Sequence, residues 1–275
     1  MNPWLETLGV ILVAVLGISL GRAFSRLRKP HWLWGSFLSF ALIGILILTR
    51  QNGVLHFARA FSWIAIGRAK FVLLAFASTT GLVTPLSRLP RQGEKLLACV
   101  MTVIVVTWFS VLPFLVPALT QDSLSNLQTK FDADGICRQG TGYTCGPAAA
   151  VTALNKLGLS ASEGRIARLA HSSPVAGTLP GCLCAALRNC YAERGLTCRY
   201  RRFDSIAQLK NAGLTLAIIR DAFLLDHCVA VLDVSDDRIL VGDPLAGLRI
   251  TSREEFERIW RFCGIVLDRD SAERI

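Results

Sequence analysis

Four stretches of this chain are longer and more apolar than ordinary core elements: residues 4–20, 32–49, 71–86 and 96–119. A helix that crosses a bilayer needs about 20 mostly apolar residues, because every backbone polar group must be bonded within the segment once water is gone. The fourth stretch is the clearest and carries Pro113 and Pro117 as kinks toward its end; the third is the shortest, with Arg68 and Lys70 at its edge. A single water-soluble globule is therefore excluded. The expected organisation is an all-α transmembrane region over residues 1–120 with about four spans, a polar linker at 121–132, and a second domain at 133–270.

Charge follows the same division. The chain carries 30 Lys and Arg against 20 Asp and Glu. Residues 1–120 hold 11 of the basic and 2 of the acidic side chains, whereas residues 121–275 are close to balanced, with 19 and 18. Basic residues beside apolar spans are membrane-flanking charges; a nucleic-acid surface would need a basic face on a soluble domain, so nucleic acid is not expected as a partner. A signal peptide would place basic residues before its apolar run. Here Arg22, Arg26, Arg28 and Lys29 follow the first run, so the segment reads as an uncleaved anchor. The expected location is an integral, multi-pass position in a bacterial inner membrane, with the bilayer as one partner.

Orientation follows from the loops. With four spans both termini share a side. The first and third loops carry seven basic residues (Arg22, Arg26, Arg28, Lys29, Arg88, Arg91, Lys95) against four in the second (Arg50, Arg59, Arg68, Lys70). The positive-inside rule then sets the C-terminal domain outside the cytoplasm. Glu6 and Glu94, the only acids of this half, fall at span ends, so buried ionisable groups for an ion or proton pathway are not expected. Nor does a phosphate-cradling G-x-x-x-x-G-K-[ST] loop occur anywhere in the chain.

Chemistry is concentrated in the second half. A Gly-rich turn, Gly140-Thr-Gly-Tyr-Thr, runs into Cys145-Gly-Pro-Ala and an alanine-rich helix with Val151, Leu154 and Leu157 at helical spacing. Pro147 suits a first helical turn and Gly158 a C-terminal stop. Cys145 thus opens a helix, where unbonded N–H groups and the positive end of the dipole favour a thiolate nucleophile. A buried, purely packing cysteine is the alternative from local pattern alone.

A thiol nucleophile ordinarily works with a histidine as base and then acid. Two histidines lie in this half. His227 opens a strand-like run to Val234, followed by a turn and a second strand, residues 239–242, ending in Asp243-Pro244. A hairpin brings its outer ends together, so Asp243 is expected beside His227, orienting its ring. His171, just past a helix ending near Ala170, is expected to cap or face solvent.

In this order the residues resemble the papain-like cysteine peptidases that process bacteriocin precursors, cleaving leader peptides after a double glycine. The resemblance covers about residues 133–268. Gln139 stands six before Cys145, as does the family's oxyanion-hole glutamine. Cys145-Gly-Pro-Ala matches the nucleophile, His227-Cys-Val-Ala-Val the histidine strand, and Asp243-Pro-Leu-Ala-Gly247 the aspartate turn. Gly177-Thr178 resembles the turn before the middle helix, and Ser252-Arg-Glu-Glu-Phe256 with Trp260 resembles the closing helix. Family members often carry Asp or Glu immediately before the nucleophile, where this chain has Thr144; their best-known members place the peptidase before the spans of an ATP-driven exporter, whereas here it follows them.

The resemblance implies an α+β papain-like peptidase domain, helices first and then a short antiparallel sheet. It implies a Cys145–His227–Asp243 triad with Gln139 completing the oxyanion hole, hydrolysis of a peptide or small precursor, and a separate ATP-driven exporter as partner. No cofactor or metal is expected. Of the remaining cysteines only Cys182-Leu-Cys184 approaches paired zinc-ligand spacing, and disulfides are open if the domain is exported, with no pairing indicated. Two alternatives stand beside peptidase activity: a degenerate domain that only binds leader peptides, and a thiol acyltransferase.

Overall fold

The computed structural model describes residues 3–28, 30–58, 60–222 and 225–269. Lys29 and Arg59, two of the basic loop residues counted above, lie outside the described residues. The chain forms two compact units, Met1–Leu119 and Thr120–Ile275.

The first unit is helical: α1 (Pro3–Ser25), α2 (Leu33–Gln51), the short α3 (Gly53–Phe57) and α4 (Ser62–Ile66), α5 (Ala69–Val83), α6 (Gln92–Val106) and α7 (Leu112–Leu119). A 3-10 turn, Thr84–Arg88, extends α5, and a π-helical turn, Thr107–Val111, joins α6 to α7. That turn lies just before Pro113, which has no N–H to return to the preceding turn. Four helical segments are long and apolar enough to cross a membrane: Pro3–Ser25, Leu33–Gln51, Ala69–Arg88 and Gln92–Leu119. Large apolar side chains such as Trp34, Phe40 and Leu96 point outward, while small residues face inward. A Cβ on Gly17 of α1 would lie 2.0 Å from Thr79 Oγ1 of α5, and Thr80 Oγ1 donates to the Gly17 carbonyl at 3.3 Å.

One expectation is corrected here. Glu6 does fall at a span end, in the first turn of α1, but buried ionisable groups are present there: its carboxylate pairs with Arg68, and both side chains are largely buried. Arg68 also donates to the Pro113 carbonyl at 2.8 Å and stacks on Phe114. The start of α1, the entry to α5 and the end of the α6–α7 segment therefore meet at one level, as in an up-and-down arrangement of the four long helical segments.

The second unit begins with α8 (Gln121–Ser125), β1 (Lys130–Phe131) and β2 (Cys137–Arg138). The segment read as a linker is thus a packed element: Leu124 is buried, and its carbonyl lies so near Gly164 that a Cβ there would approach it to 2.2 Å. Next come α9 (Cys145–Lys156), α10 (Glu163–Leu169) and α11 (Pro180–Tyr191), then β3 (Leu196–Arg202), α12 (Ile206–Lys210), β4 (Thr215–Ala222), β5 (Leu225–Val234), β6 (Arg238–Asp243), β7 (Gly247–Ser252), α13 (Arg253–Ile259) and β8 (Trp260–Arg269). The sheet is antiparallel with order β3-β8-β4-β5-β6-β7, so it is larger than the short sheet expected. Its C-terminal strand inserts between β3 and β4, a long-range pairing that leaves no local mark.

Both faces of the central strand β5 are covered. Val229 and Val231 join Phe203, Phe256 and Trp260 in a core with α12 and α13. Gly242 of the neighbouring strand is approached by Ile136 and by Thr152 of α9. Ser252 caps α13, its Oγ accepting from the Glu255 N–H at 3.2 Å, while Glu255 Oε2 accepts from the Thr251 hydroxyl at 2.9 Å.

Candidate active site

Cys145 is the first residue of α9, as its sequence context predicts. The N–H groups of a first helical turn have no intrahelical acceptor, so they face the same space as the thiol. Thr178 Oγ1 donates to the Tyr143 carbonyl at 3.2 Å, and Gly146 lies against Leu183 and Thr178, leaving little room for a side chain beside Cys145.

His227 and Asp243 stand on adjacent strands, β5 and β6, and are 7% and 5% exposed. His227 Nε2 and Asp243 Oδ1 are 2.8 Å apart, and the Cys145 thiol is near enough to His227 to raise its pKa. One ring nitrogen is committed to the carboxylate, leaving the other for the thiol. Burial alone would lower the His227 pKa; the hydrogen bonds and charges of Asp243 and Cys145 overcome it and raise it to about 9. For Asp243, burial pulls upward, yet the His227 hydrogen bond and the Leu245 and Ala246 N–H donors bring its pKa down to about 2. Those donors reach Oδ1 at 2.8 and 3.3 Å, and Arg249 approaches Oδ2 at 3.7 Å.

Gln139 follows β2. Its backbone N–H bonds the Pro244 carbonyl at 3.1 Å, tying it to the Asp243 turn. Its side-chain Nε2 donates to the Thr141 carbonyl at 2.8 Å, while Oε1 is buried without a partner. One amide hydrogen is occupied and one remains for a ligand.

Glu163, the first residue of α10, carries no signal in the sequence and is fully buried beside this loop. Oε1 accepts the Gly140 N–H at 2.9 Å, Oε2 is buried without a partner, and Thr144 is close enough to act on the carboxyl. Burial raises its pKa above the ordinary carboxyl value. An acid thus stands against Thr144, the position before the nucleophile, though it comes from another element. Its Ser162 N-cap was the available signal, and that pointed only to a helix start.

Of the two expectations for His171, it is the cap that holds: half-buried, with φ +54°, it closes the last turn of α10 through its N–H to the Arg168 carbonyl. Among the described residues no three His, Cys, Asp or Glu side chains cluster as a metal site would need, and Cys182 and Cys184 gather no further ligands.

A cysteine on a helix N-terminus, facing a buried His–Asp pair on an antiparallel sheet, defines an α+β domain of the papain-like cysteine-peptidase class. The chain belongs to the Peptidase C39 family, whose model matches residues 134–272. An uncharacterized protein of Methanothermobacter marburgensis is 32% identical over 135 residues, covering 49% of this chain and 89% of its own length. Another from Methanothermobacter thermautotrophicus is 26% identical over 143 residues, with 52% and 94% covered. Among solved structures, the peptidase domain of Streptococcus ComA, a bi-functional ABC transporter involved in quorum sensing, aligns at 19% identity and a TM-score of 0.42, over 48% of this chain and 96% of that one. A double-glycine-motif protease from an AMS/PCAT transporter, solved with its leader peptide, aligns at 20% identity and a TM-score of 0.41, over 53% and 96%.

Proposed function

We propose that this chain is a membrane-anchored cysteine peptidase that hydrolyses peptide bonds in small precursor peptides, with leaders ending in a double glycine as the substrates to test first. The observation that carries the reading is the buried His227–Asp243 pair, 2.8 Å apart, with Cys145 at the start of α9 close enough to raise the His227 pKa. Family membership of the domain supports the reaction type.

In this mechanism Cys145 sulfur attacks the scissile carbonyl carbon as thiolate, with His227 as imidazolium. The oxyanion is met by the Cys145 N–H and by the second Gln139 amide N–H, donors aimed where charge develops. His227 gives its proton to the leaving amine, producing a thioester. It then takes a proton from water, whose oxygen displaces Cys145 and releases the acid. Asp243 acts through His227, holding the ring so that the nitrogen facing Cys145 exchanges the proton.

The spans anchor the domain, and the excess of basic residues in the first and third loops puts it on the extracytoplasmic side. A separate ATP-driven exporter is the partner this arrangement would serve.

The test uses full-length protein in detergent. It is treated briefly with iodoacetamide at mildly acidic pH, mapped by peptide mass spectrometry, and assayed on precursor peptides. Cys145 is expected to label far faster than the other eight cysteines, to slow in His227→Ala, and to be required for cleavage. Uniform slow labelling, or full turnover by Cys145→Ala, would overturn the reading.

A further inference from the structure

Two cysteines outside the site lie with their sulfurs almost touching. Cys184 is on α11 and Cys198 on β3, and their Sγ atoms are 2.8 Å apart. Both are buried, at 5% and 3% exposure. The buried Cys263, by contrast, accepts a hydrogen bond from the Tyr200 hydroxyl at 3.4 Å.

We infer that Cys184 and Cys198 are a disulfide-forming pair that fastens α11 to the edge strand β3. The pair is chemically asymmetric. The Cys198 S–H donates to Cys184, which together with the nearby Arg188 guanidinium holds the Cys184 thiol below the ordinary range, while Cys198 is pushed up. Arg188 Nη2 bonds the Cys198 carbonyl at 3.1 Å and lies 3.9 Å from Cys184 Sγ, so helix and strand are already held in register around the two sulfurs.

The oxidant is an external disulfide, RSSR. Cys184 thiolate attacks one sulfur and releases RS⁻. Cys198 then loses its proton and attacks Cys184 Sγ, releasing a second RS⁻. Two thiol hydrogens leave the protein and RSSR becomes two RSH, which balances the exchange. Because both sulfurs are buried in the folded domain, exchange belongs to folding, before helix and strand close over them. Burial then shields the finished bond from reductants.

The bond has a place in the architecture. α11 also carries Leu183, which packs against Gly146, the residue after Cys145. A covalent tie one residue further along fixes the wall behind the nucleophile to the sheet edge, and the pairing also belongs to a domain that folds in an oxidising compartment.

The test needs no substrate, so its outcome is independent of peptidase activity. Full-length protein is extracted with N-ethylmaleimide present. A second sample is incubated with oxidised glutathione and a trace of glutathione in mild urea, then quenched in the same way. Trypsin separates residues 169–188, which hold Cys182 and Cys184, from residues 195–199, which hold Cys198. The expected result is a cross-linked pair of these peptides two hydrogens lighter than their sum, retained in Cys182→Ser and absent in Cys184→Ser. Labelling of Cys198 should fall by more than about tenfold, and return with dithiothreitol in urea. Cys198 still fully alkylated after the glutathione treatment, or bonded to any cysteine but Cys184, overturns the assignment. Wild-type protein alone decides between these outcomes, so a variant that folds poorly does not blunt the test.

Discussion

Asp243 Oδ1 accepts three hydrogen bonds at once, from His227 Nε2 at 2.8 Å and from the N–H groups of Leu245 and Ala246 at 2.8 and 3.3 Å. The carboxylate is anchored by its own turn before it acts on the histidine. This gives a signed pH prediction. His227, raised to about 9, keeps its proton through neutrality. The kcat/KM profile should therefore hold until an alkaline limb near pH 9, where the imidazolium is lost. Asp243→Asn should move that limb toward acid and lower kcat/KM by about 10²-fold or more. An unmoved limb would separate Asp243 from the chemistry. The same shifts act on stability: the His227 contribution is complete below about pH 6.5 and is lost as pH rises through about 9. The Asp243 contribution is complete above about pH 4 and is lost as pH falls through about 2.

Glu163 provides the opposite sign. Its carboxyl pKa is raised by burial, so the folded state binds more protons than the unfolded one and stability falls as pH rises above the ordinary carboxyl value. Glu163→Gln keeps an acceptor for the Gly140 N–H and removes the ionisation, so its thermal midpoint should decline less than wild type over the same pH range. Glu163→Ala leaves that N–H unmatched and should cost about 1–3 kcal/mol. Parallel pH curves for wild type and Glu163→Gln would contradict this account.

Gly164→Ala tests whether α8 is part of the fold. The new methyl would meet the Leu124 carbonyl at 2.2 Å, a backbone atom that cannot rotate away. Denaturant titration of the full chain should show a loss of about 1–3 kcal/mol. An unchanged midpoint would mean that α8 is not held against α10.

In the helical unit, Gly17→Leu should part α1 from α5. Even a Cβ would lie 2.0 Å from Thr79 Oγ1 and 3.0 Å from the Phe76 carbonyl. Cysteine cross-linking between the two helices in native membranes should drop sharply in the variant and persist in a Gly9→Leu control, whose position has open space.

The places of Cys145, His227 and Asp243 in the fold were legible because each carries a local mark: a glycine-rich turn before an alanine helix for Cys145, the head of an alternating strand for His227, an Asp-Pro turn for Asp243. Hairpin geometry then joined the last two without knowledge of the rest. Glu163 carried no such mark, since a buried carboxyl and a solvated helix start share one sequence pattern. Strand β8 was hidden for another reason. Trp260 ends one helix and begins the strand at once, with Phe262 at φ +51°, and its partners in β3 and β4 lie tens of residues away. The ion pair of Arg68 with Glu6 and the packing of Leu124 are likewise contacts between distant segments.

Cys145 rides on α9, whereas His227 and Asp243 ride on β5 and β6, and α9 packs against β5. No single element holds a reactive pair. A chain still emerging from synthesis, or one whose helix has lifted from the sheet, carries an inert thiol and an idle imidazole. On the proposed function, competence to cut is acquired only when the seam closes, which protects a newly made chain and its neighbours from its own chemistry.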